Sequence, residues 1–364
     1  MKDNFSLLIK PASADCNLCC DYCFYLDKKS LYPDETIHRM SEDTLKQVFK
    51  SYLSEKRDVY SITWQGGEPT LMGTEFYRRA VDLQKHFASP GSRMMNSIQT
   101  NAFSIPGDLA ELMAKYRFVA GCSLDGPDRF HDVYRKTCSK ASTHSQVLNG
   151  INKLDSAGVP VNVLCMVTSA NADYPEEVYN YFKDLGFTFI QFIPCVEHDD
   201  NNKFLPFSIT PEQWGSFLTS VFEQWYLKDT KRISVRNFES VLAKLVMNSA
   251  AECKMSEKCN QYLVVEYNGD IYPCDFFVES KYKLGNIHET SFEDLRRSDS
   301  YKDFMEMKSL RNIKCSNCSF LNLCMGDCPK FRTNISDLSY LCSGWEYFFS
   351  KTTERFQKLA ESIS

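Results

Sequence analysis

Apolar runs and amphipathic stretches alternate along the first two-thirds of this chain. Short runs, most of them rich in Ile, Val and Phe, occur at Ser6 to Lys10, Tyr60 to Trp64, Ser97 to Thr100, Val119 to Ser123, Val161 to Val167 and Phe189 to Ile193. Such runs are expected of buried parallel strands. Between them, Glu42 to Ser54, Thr74 to Phe87, Pro106 to Tyr116, Ser145 to Ala157 and Pro175 to Leu185 carry apolar residues at three- and four-residue steps, and Pro211 to Leu227 follows the last run. That spacing predicts amphipathic helices. Six strand–helix units imply an α/β fold with a parallel sheet. Six is short of the eight that close a full barrel, so a partial (β/α)6 TIM-like barrel is expected. Folds of this kind place their chemistry in loops at the carboxyl ends of the strands.

The pattern changes after residue 235. A helical stretch, Phe238 to Met247, leads into eight cysteines between Cys253 and Cys342. Val264 to Tyr272 reads as a hairpin turning at Asn268-Gly269. The run beyond Cys315 is loop-rich and has little apolar material to fold on without metal. Gly344 to Ile363 is helical and partly apolar. Two domains are therefore expected, residues 1–235 and residues 236–364, the second loop-rich and ending in a helix.

Composition narrows the class. In 364 residues, 42 Lys and Arg stand against 47 Asp and Glu, a net charge of −5. This is not the basic footprint of a nucleic-acid binder. The opening apolar run is too short for a signal peptide and is broken by Lys10. No stretch approaches the roughly 18 apolar residues of a membrane span. A cytoplasmic protein is expected, with no nucleic-acid or membrane partner. In that reducing setting 16 cysteines point to metal ligation or catalysis rather than a disulfide framework.

The first cysteine group, Cys16-Asn17-Leu18-Cys19-Cys20-Asp21-Tyr22-Cys23, follows the first strand. Cys16, Cys20 and Cys23 have the spacing C-x3-C-x2-C. Three thiolates can hold three irons of a 4Fe–4S cluster and leave the fourth open. A zinc knuckle is the alternative, and Cys19 also offers C-x2-C spacing to Cys16. Gly66-Gly67-Glu68-Pro69 ends the second strand, Ser123 ends the fourth, Arg135 lies on the next segment, and Val196 follows the sixth.

Taken in this order, these residues resemble the radical S-adenosylmethionine (SAM) superfamily, whose signature is C-x3-C-x-φ-C with an aromatic at φ, here Tyr22. The resemblance implies that Cys16, Cys20 and Cys23 bind the cluster and that Cys19 is a spare thiol. It also implies that Gly67 and Glu68 meet the amino group of SAM, that Ser123 and Arg135 contact its ribose and carboxylate ends, and that Val196 packs on adenine. In such enzymes the cofactor supplies the hard chemistry and the protein orients the reactive atom.

The later cysteines are Cys253-x5-Cys259-x14-Cys274 and Cys315-x2-Cys318-x5-Cys324-x3-Cys328-x13-Cys342. Eight thiolates complete two four-ligand clusters or two structural zinc sites. The layout resembles the SPASM domain of radical SAM enzymes that modify peptides and proteins. That resemblance implies one auxiliary 4Fe–4S cluster on Cys253, Cys259, Cys274 and Cys328, and another on Cys315, Cys318, Cys324 and Cys342. With the first cluster this makes three. The remaining cysteines, Cys19, Cys122, Cys138, Cys165 and Cys195, mostly lie in or beside strands and need no special role.

Three runs narrow the resemblance to the anaerobic sulfatase-maturating enzymes: Cys23 to Leu26, Ile190 to Cys195, and Tyr272-Pro273-Cys274-Asp275-Phe276-Phe277. This family oxidises a Cys or Ser of a sulfatase to formylglycine. The implied substrate is a Cys/Ser-x-Pro/Ala-x-Arg segment, and the implied electron donor is a flavodoxin or ferredoxin. Asp275 matches the family's base, next to the cluster ligand Cys274. The alternative is a SPASM enzyme that forms thioether or carbon–carbon crosslinks in a ribosomal peptide. A leader-recognition domain before Cys16 would favour that reading, but only 15 residues precede Cys16.

Overall fold

The computed structural model describes residues 5–199 and 201–363. Residues 1–4, the head of the segment read against a signal peptide, lie outside the described residues, as do position 200 and the last residue. Ten strands are present: β1 (Ser6–Lys10), β2 (Val59–Trp64), β3 (Arg93–Thr100), β4 (Val119–Ser123), β5 (Val161–Val167), β6 (Phe189–Pro194), β7 (Ser234–Val235), β8 (Tyr262–Glu266), β9 (Asp270–Tyr272) and β10 (Gly285–Asn286). The chain forms two compact units. The first contains the residues up to Ser123, Arg135–Val161 and Asn260–Phe304. The second contains Leu124–Tyr134, Asn162–Cys259 and the residues from Met305 on.

In the first unit β1 to β4 pair in parallel and in chain order. All six predicted strands form. β3 starts four residues before the predicted run, because Arg93 to Asn96, with Met94 and Met95 between two polar residues, continue the pairing with β2. The strands are less uniformly buried than the pattern predicts. On β2 the buried Tyr60, Ile62 and Trp64 alternate with half-buried Val59, Ser61 and Thr63. One face is thus apolar, while the other carries hydroxyls such as Thr63 and Ser97, whose oxygens are 2.9 Å apart. The apolar face receives the helices. Helix Gly73–Phe87 is fixed by Gln84, which exchanges two side-chain hydrogen bonds with Asn96 of β3, while the Trp64 indole N–H also donates to Asn96.

The predicted hairpin forms as β8 and β9, antiparallel, with Val264 opposite Tyr272. Its placement was not visible in the pattern. β8 pairs in parallel with β1, and Lys10 lies opposite Glu266. β10 then pairs only with β9. Within the first unit the strand order is β10-β9-β8-β1-β2-β3-β4, with β10 at a free edge, and the sheet is not closed.

In the second unit β5 and β6 are parallel, and the two-residue β7 extends them. Helix Pro211–Lys228 begins with a capping box between Thr210 and Gln213. Helix Cys342–Ile363 packs along it: Trp214 meets Trp345 with centroids 5.6 Å apart, and Phe222 meets Phe356 at 4.5 Å. Arg355 clamps Glu223 through both of its oxygens at 2.5 and 2.6 Å. The loop-rich run holds only short helices, Ile313–Ser316 and Leu321–Cys324, before that long one. Among the described residues no helix is long and apolar enough to cross a membrane.

Gly150 provides a test of the packing in the first unit. It sits inside helix His144–Ser156, where alanine is ordinarily favoured. Yet a Cβ there would lie 1.8 Å from the carbonyl oxygen of Ala102. We expect Gly150→Ala to lower unfolding stability by about 1–3 kcal/mol, the range for overpacking. Denaturant unfolding measures this, and a stabilised variant would contradict the packing.

Candidate active site

The loop after β1 is built around backbone contacts that exclude larger residues. Gly67 N–H donates to Ser13 C=O at 2.6 Å, and Glu68 N–H to Asp15 C=O at 2.8 Å. A Cβ on Gly67 would lie 2.1 Å from the Asp15 oxygen, so glycine is required there for close approach. The Glu68 carboxylate is fully buried. Its Oε1 accepts from Thr70 N–H, Thr70 Oγ1 and Thr100 Oγ1 at 2.6–2.9 Å, and its Oε2 accepts from Asn101 N–H at 2.8 Å. Burial pushes the Glu68 carboxyl above its ordinary range, and these donors oppose the shift. Glu68 therefore ties the end of β2 to the end of β3.

Cys16, Cys20 and Cys23 lie on the loop held in this way. Cys16 and Cys23 are half-buried and Cys20 is buried. Leu18 N–H and the Asn101 amide point at Cys16 Sγ from 3.4 and 3.5 Å. Such donors favour a thiolate. Without a cation the Cys16 thiol is pushed up to about 12 by burial, and the nearby Glu68, Cys20 and Cys23 add to this. Three mutually repelling thiols beside amide donors suit a shared cationic cluster. Cys19 is not among them. Its sulfur is bonded to Cys138, so one disulfide exists where none was expected, and it withdraws the competing thiol.

Arg135 is 7% exposed, which removes it from the class of solvated surface charges. Its guanidinium lies 5.5 Å from the centre of the Tyr22 ring, within cation–π range. Ser123 is half-buried at the end of β4. In the second unit Val196 is buried just past β6, where Cys195 N–H donates to Val167 C=O at 2.9 Å. Nearby Asp125 organises the end of β5 by accepting from Met166 N–H at 3.0 Å.

Asp275 opens a short 3-10 turn directly after Cys274, in the first unit. It forms an ion pair with Lys10, and Gln65 donates to its Oδ2 at 3.3 Å. Lys10 is 1% exposed. Its ammonium also lies 3.5 Å over the ring of Tyr25, whose hydroxyl donates to Glu266. Burial raises the Glu266 carboxyl, while Tyr25 and Lys10 act against it. Lys10, Tyr25, Gln65 and Glu266 were not singled out from the sequence. A lysine closing an otherwise apolar strand was the available signal.

The later cysteines fall into groups. Cys315, Cys318, Cys324 and Cys342 border one cavity of about 250 Å³, with Trp345 and Phe349 also in its lining. A single zinc ion held at Zn–S distances of about 2.3 Å would draw four thiolates together and leave no such space. A cluster fits it. Cys253, Cys259 and Cys328 form a second group in the same unit: burial raises the Cys259 thiol, and Cys328 and Cys253 add to the rise. Cys274, in the other unit, has its sulfur 3.4 Å from the Tyr262 hydroxyl.

Residues 11–186 match the sequence profile of the Radical SAM superfamily, and residues 253–319 match that of an iron-sulfur cluster-binding domain, SPASM. A serine-type anaerobic sulfatase-maturating enzyme of Bacteroides thetaiotaomicron is 36% identical, over 94% of this chain and 88% of that protein. A cysteine-type enzyme of Clostridium perfringens is 33% identical, over 98% and 99%. The chain belongs to the anaerobic sulfatase-maturating enzymes. It is thus a radical SAM enzyme that uses SAM and iron–sulfur clusters. The solved native anSMEcpe with bound AdoMet and Kp18Cys peptide superposes with a TM-score of 0.91 at 32% identity, covering 98% of this chain and 99% of that one. Streptococcus suis SuiB bound to precursor peptide SuiA shares the fold, with a TM-score of 0.66 at 17% identity over 93% and 76%.

The close approach at Gly67 yields a prediction for this maturase. Gly67→Ala must displace the Ser13–Asp15 backbone that leads into Cys16. We expect reduced iron loading of the first cluster and weaker SAM binding, read by metal analysis and by SAM titration of the reconstituted protein. Wild-type values for both would show that the turn tolerates a side chain.

Proposed function

We propose that this maturase oxidises the cysteine or serine of a sulfatase Cys/Ser-x-Pro/Ala-x-Arg segment to formylglycine, with Asp275 as the base. The placement of Asp275 carries the reading: it directly follows Cys274, and Lys10 and Gln65 grip its carboxylate. In this reading Cys16, Cys20 and Cys23 hold the SAM cluster. Gly67, Glu68, Ser123, Arg135 and Val196 surround SAM, with Tyr22 stacked on Arg135. Cys253, Cys259, Cys274 and Cys328 hold one auxiliary cluster, and Cys315, Cys318, Cys324 and Cys342 hold the other. When bound, these groups supply the radical that takes a hydrogen atom from the substrate Cβ and the acceptor for the second electron. A flavodoxin or ferredoxin delivers the first electron.

The chain's own task is then to remove one proton and to keep its base in place. A base must come within ~2.6–3.2 Å of the proton it takes, or one water away. Lys10 fixes Asp275 from the strand side, and Gln65 fixes it from the end of β2. Tyr25 cannot compete as the proton acceptor, because burial first, then Glu266 and Asp275, push its phenol well above the ordinary range. Its ring instead holds the Lys10 ammonium in position.

The test is anaerobic incubation with SAM, a reductant and a peptide carrying either motif, followed by mass spectrometry. A serine peptide should lose two hydrogens. A cysteine peptide should lose two hydrogens and exchange sulfur for oxygen. SAM cleavage with an unchanged peptide would refute the substrate. Asp275→Asn should still cleave SAM but form aldehyde about 10²–10⁴-fold more slowly, the usual scale of general-base catalysis. Undiminished aldehyde formation would remove Asp275 from that role.

A further inference from the structure

Lys308 is a fully buried lysine in the second unit. Its ammonium donates to the carbonyls of Cys253 and Lys254 at 2.7 and 2.6 Å. Among the described residues no carboxylate stands within ion-pair distance of it. A buried ammonium held only by neutral carbonyls is costly unless a negative charge lies close by. Burial works against the Lys308 charge, and Cys259, Cys253 and Cys328, followed by Asp327, work in its favour. The Asp327 carboxylate already accepts from the Ser339 hydroxyl at 2.7 Å. Arg332, the other cation near Cys259, is spent on three carbonyls, those of Leu310, Ile335 and Gly326, at 2.8–3.1 Å.

Three thiols and one carboxylate, Asp327, are thus the acidic groups around one buried cation, and Asp327 is not in ion-pair contact with it. A 4Fe–4S cluster with four thiolate ligands is an anion whose charge grows more negative when it takes up an electron. A fixed positive charge in a low-dielectric interior stabilises the reduced form more than the oxidised one. Net charge, hydrogen bonds and burial are the means by which a protein sets such a potential.

We propose that Lys308 raises the reduction potential of the auxiliary cluster bound by Cys253, Cys259 and Cys328, and so makes it the acceptor of the second electron. The step is one electron passing from the substrate-derived radical to the oxidised cluster. Lys308 touches neither SAM nor substrate and is a positioning charge. The inference rests on the ligand sets proposed above, and the experiment separates the two.

Holoenzyme is reconstituted anaerobically as wild type, Lys308→Gln and Lys308→Arg. Iron and sulfide are counted, and each cluster's midpoint is followed by EPR-monitored redox titration with and without SAM. SAM marks the first cluster by perturbing its signal. Glutamine retains a donor for the two carbonyls and removes only the charge. We expect Lys308→Gln to shift one SAM-insensitive midpoint to more negative potential, with the other two unmoved, and Lys308→Arg to stay near wild type. A glutamine variant with full iron and wild-type midpoints would overturn the proposal, and so would one lacking a cluster's worth of iron. Wild-type protein with iron for a single cluster would instead defeat the three-cluster reading.

Discussion

The chemistry of the first unit depends on the parallel pairing of β1 with β8. That register sets Lys10 opposite Glu266 and carries the β8–β9 hairpin, with Cys274 and Asp275 at its exit, beside the end of β1. A slip by one residue would turn Lys10 to the other face of the sheet. Lys10 is buried, so its charge has to be matched where it stands. Asp275 matches it by an ion pair, and Tyr25 by the face of its ring. Removing one partner of a buried pair costs about 3–5 kcal/mol, because the other charge is left without compensation. The same contacts that hold the proposed base in place are thereby required for the strand pairing to be stable.

Glu68 does comparable work close by, just past the end of β2. Its carboxylate is buried at a cost that would be prohibitive without donors, and four donors from Thr70, Thr100 and Asn101 offset it. Asn101 reaches further, with its side-chain amide on Asn17 at 2.8 Å as well as on Cys16. A hydrogen-bond chain thus runs from the turn after β2, through the end of β3, to the first cysteine. The loop bearing Cys16, Cys20 and Cys23 is shaped by three strand ends rather than by its own sequence.

Much of this was legible along the chain. The six strands and the helices between them follow from apolar spacing, which reports burial directly. The hairpin at Asn268-Gly269 was visible because its turn is encoded locally. Its attachment to β1 was not, since pairing across more than 250 residues leaves no mark on a periodic pattern. β7 and β10, two residues each, are too short to show a period. Lys10 read as the end of a strand, because nothing in the sequence says that a charge will be buried. The bond between Cys19 and Cys138 was hidden for the same reason: it depends on a contact across 119 residues.

The cysteines show what spacing alone leaves open and what local structure adds. Cys122, Cys165 and Cys195 are fully buried on or just past strands, and burial pushes the thiols of Cys122 and Cys195 far above the ordinary range. A thiol packed in on every side has no direction from which a metal could reach it. The cysteines proposed as cluster ligands are, apart from Cys20, half-buried, and they sit in loops, at strand exits, in short helices or, for Cys342, at the start of the long last helix. A ligand must be enclosed enough to exclude water and open enough on one side to face an iron. Half-burial off the strands meets both conditions, and the cavity bounded by Cys315, Cys318, Cys324 and Cys342 is the open side made visible. Where the backbone puts each sulfur thus sets Cys122, Cys165 and Cys195 apart from the proposed ligands, a distinction that the interval between cysteines does not contain.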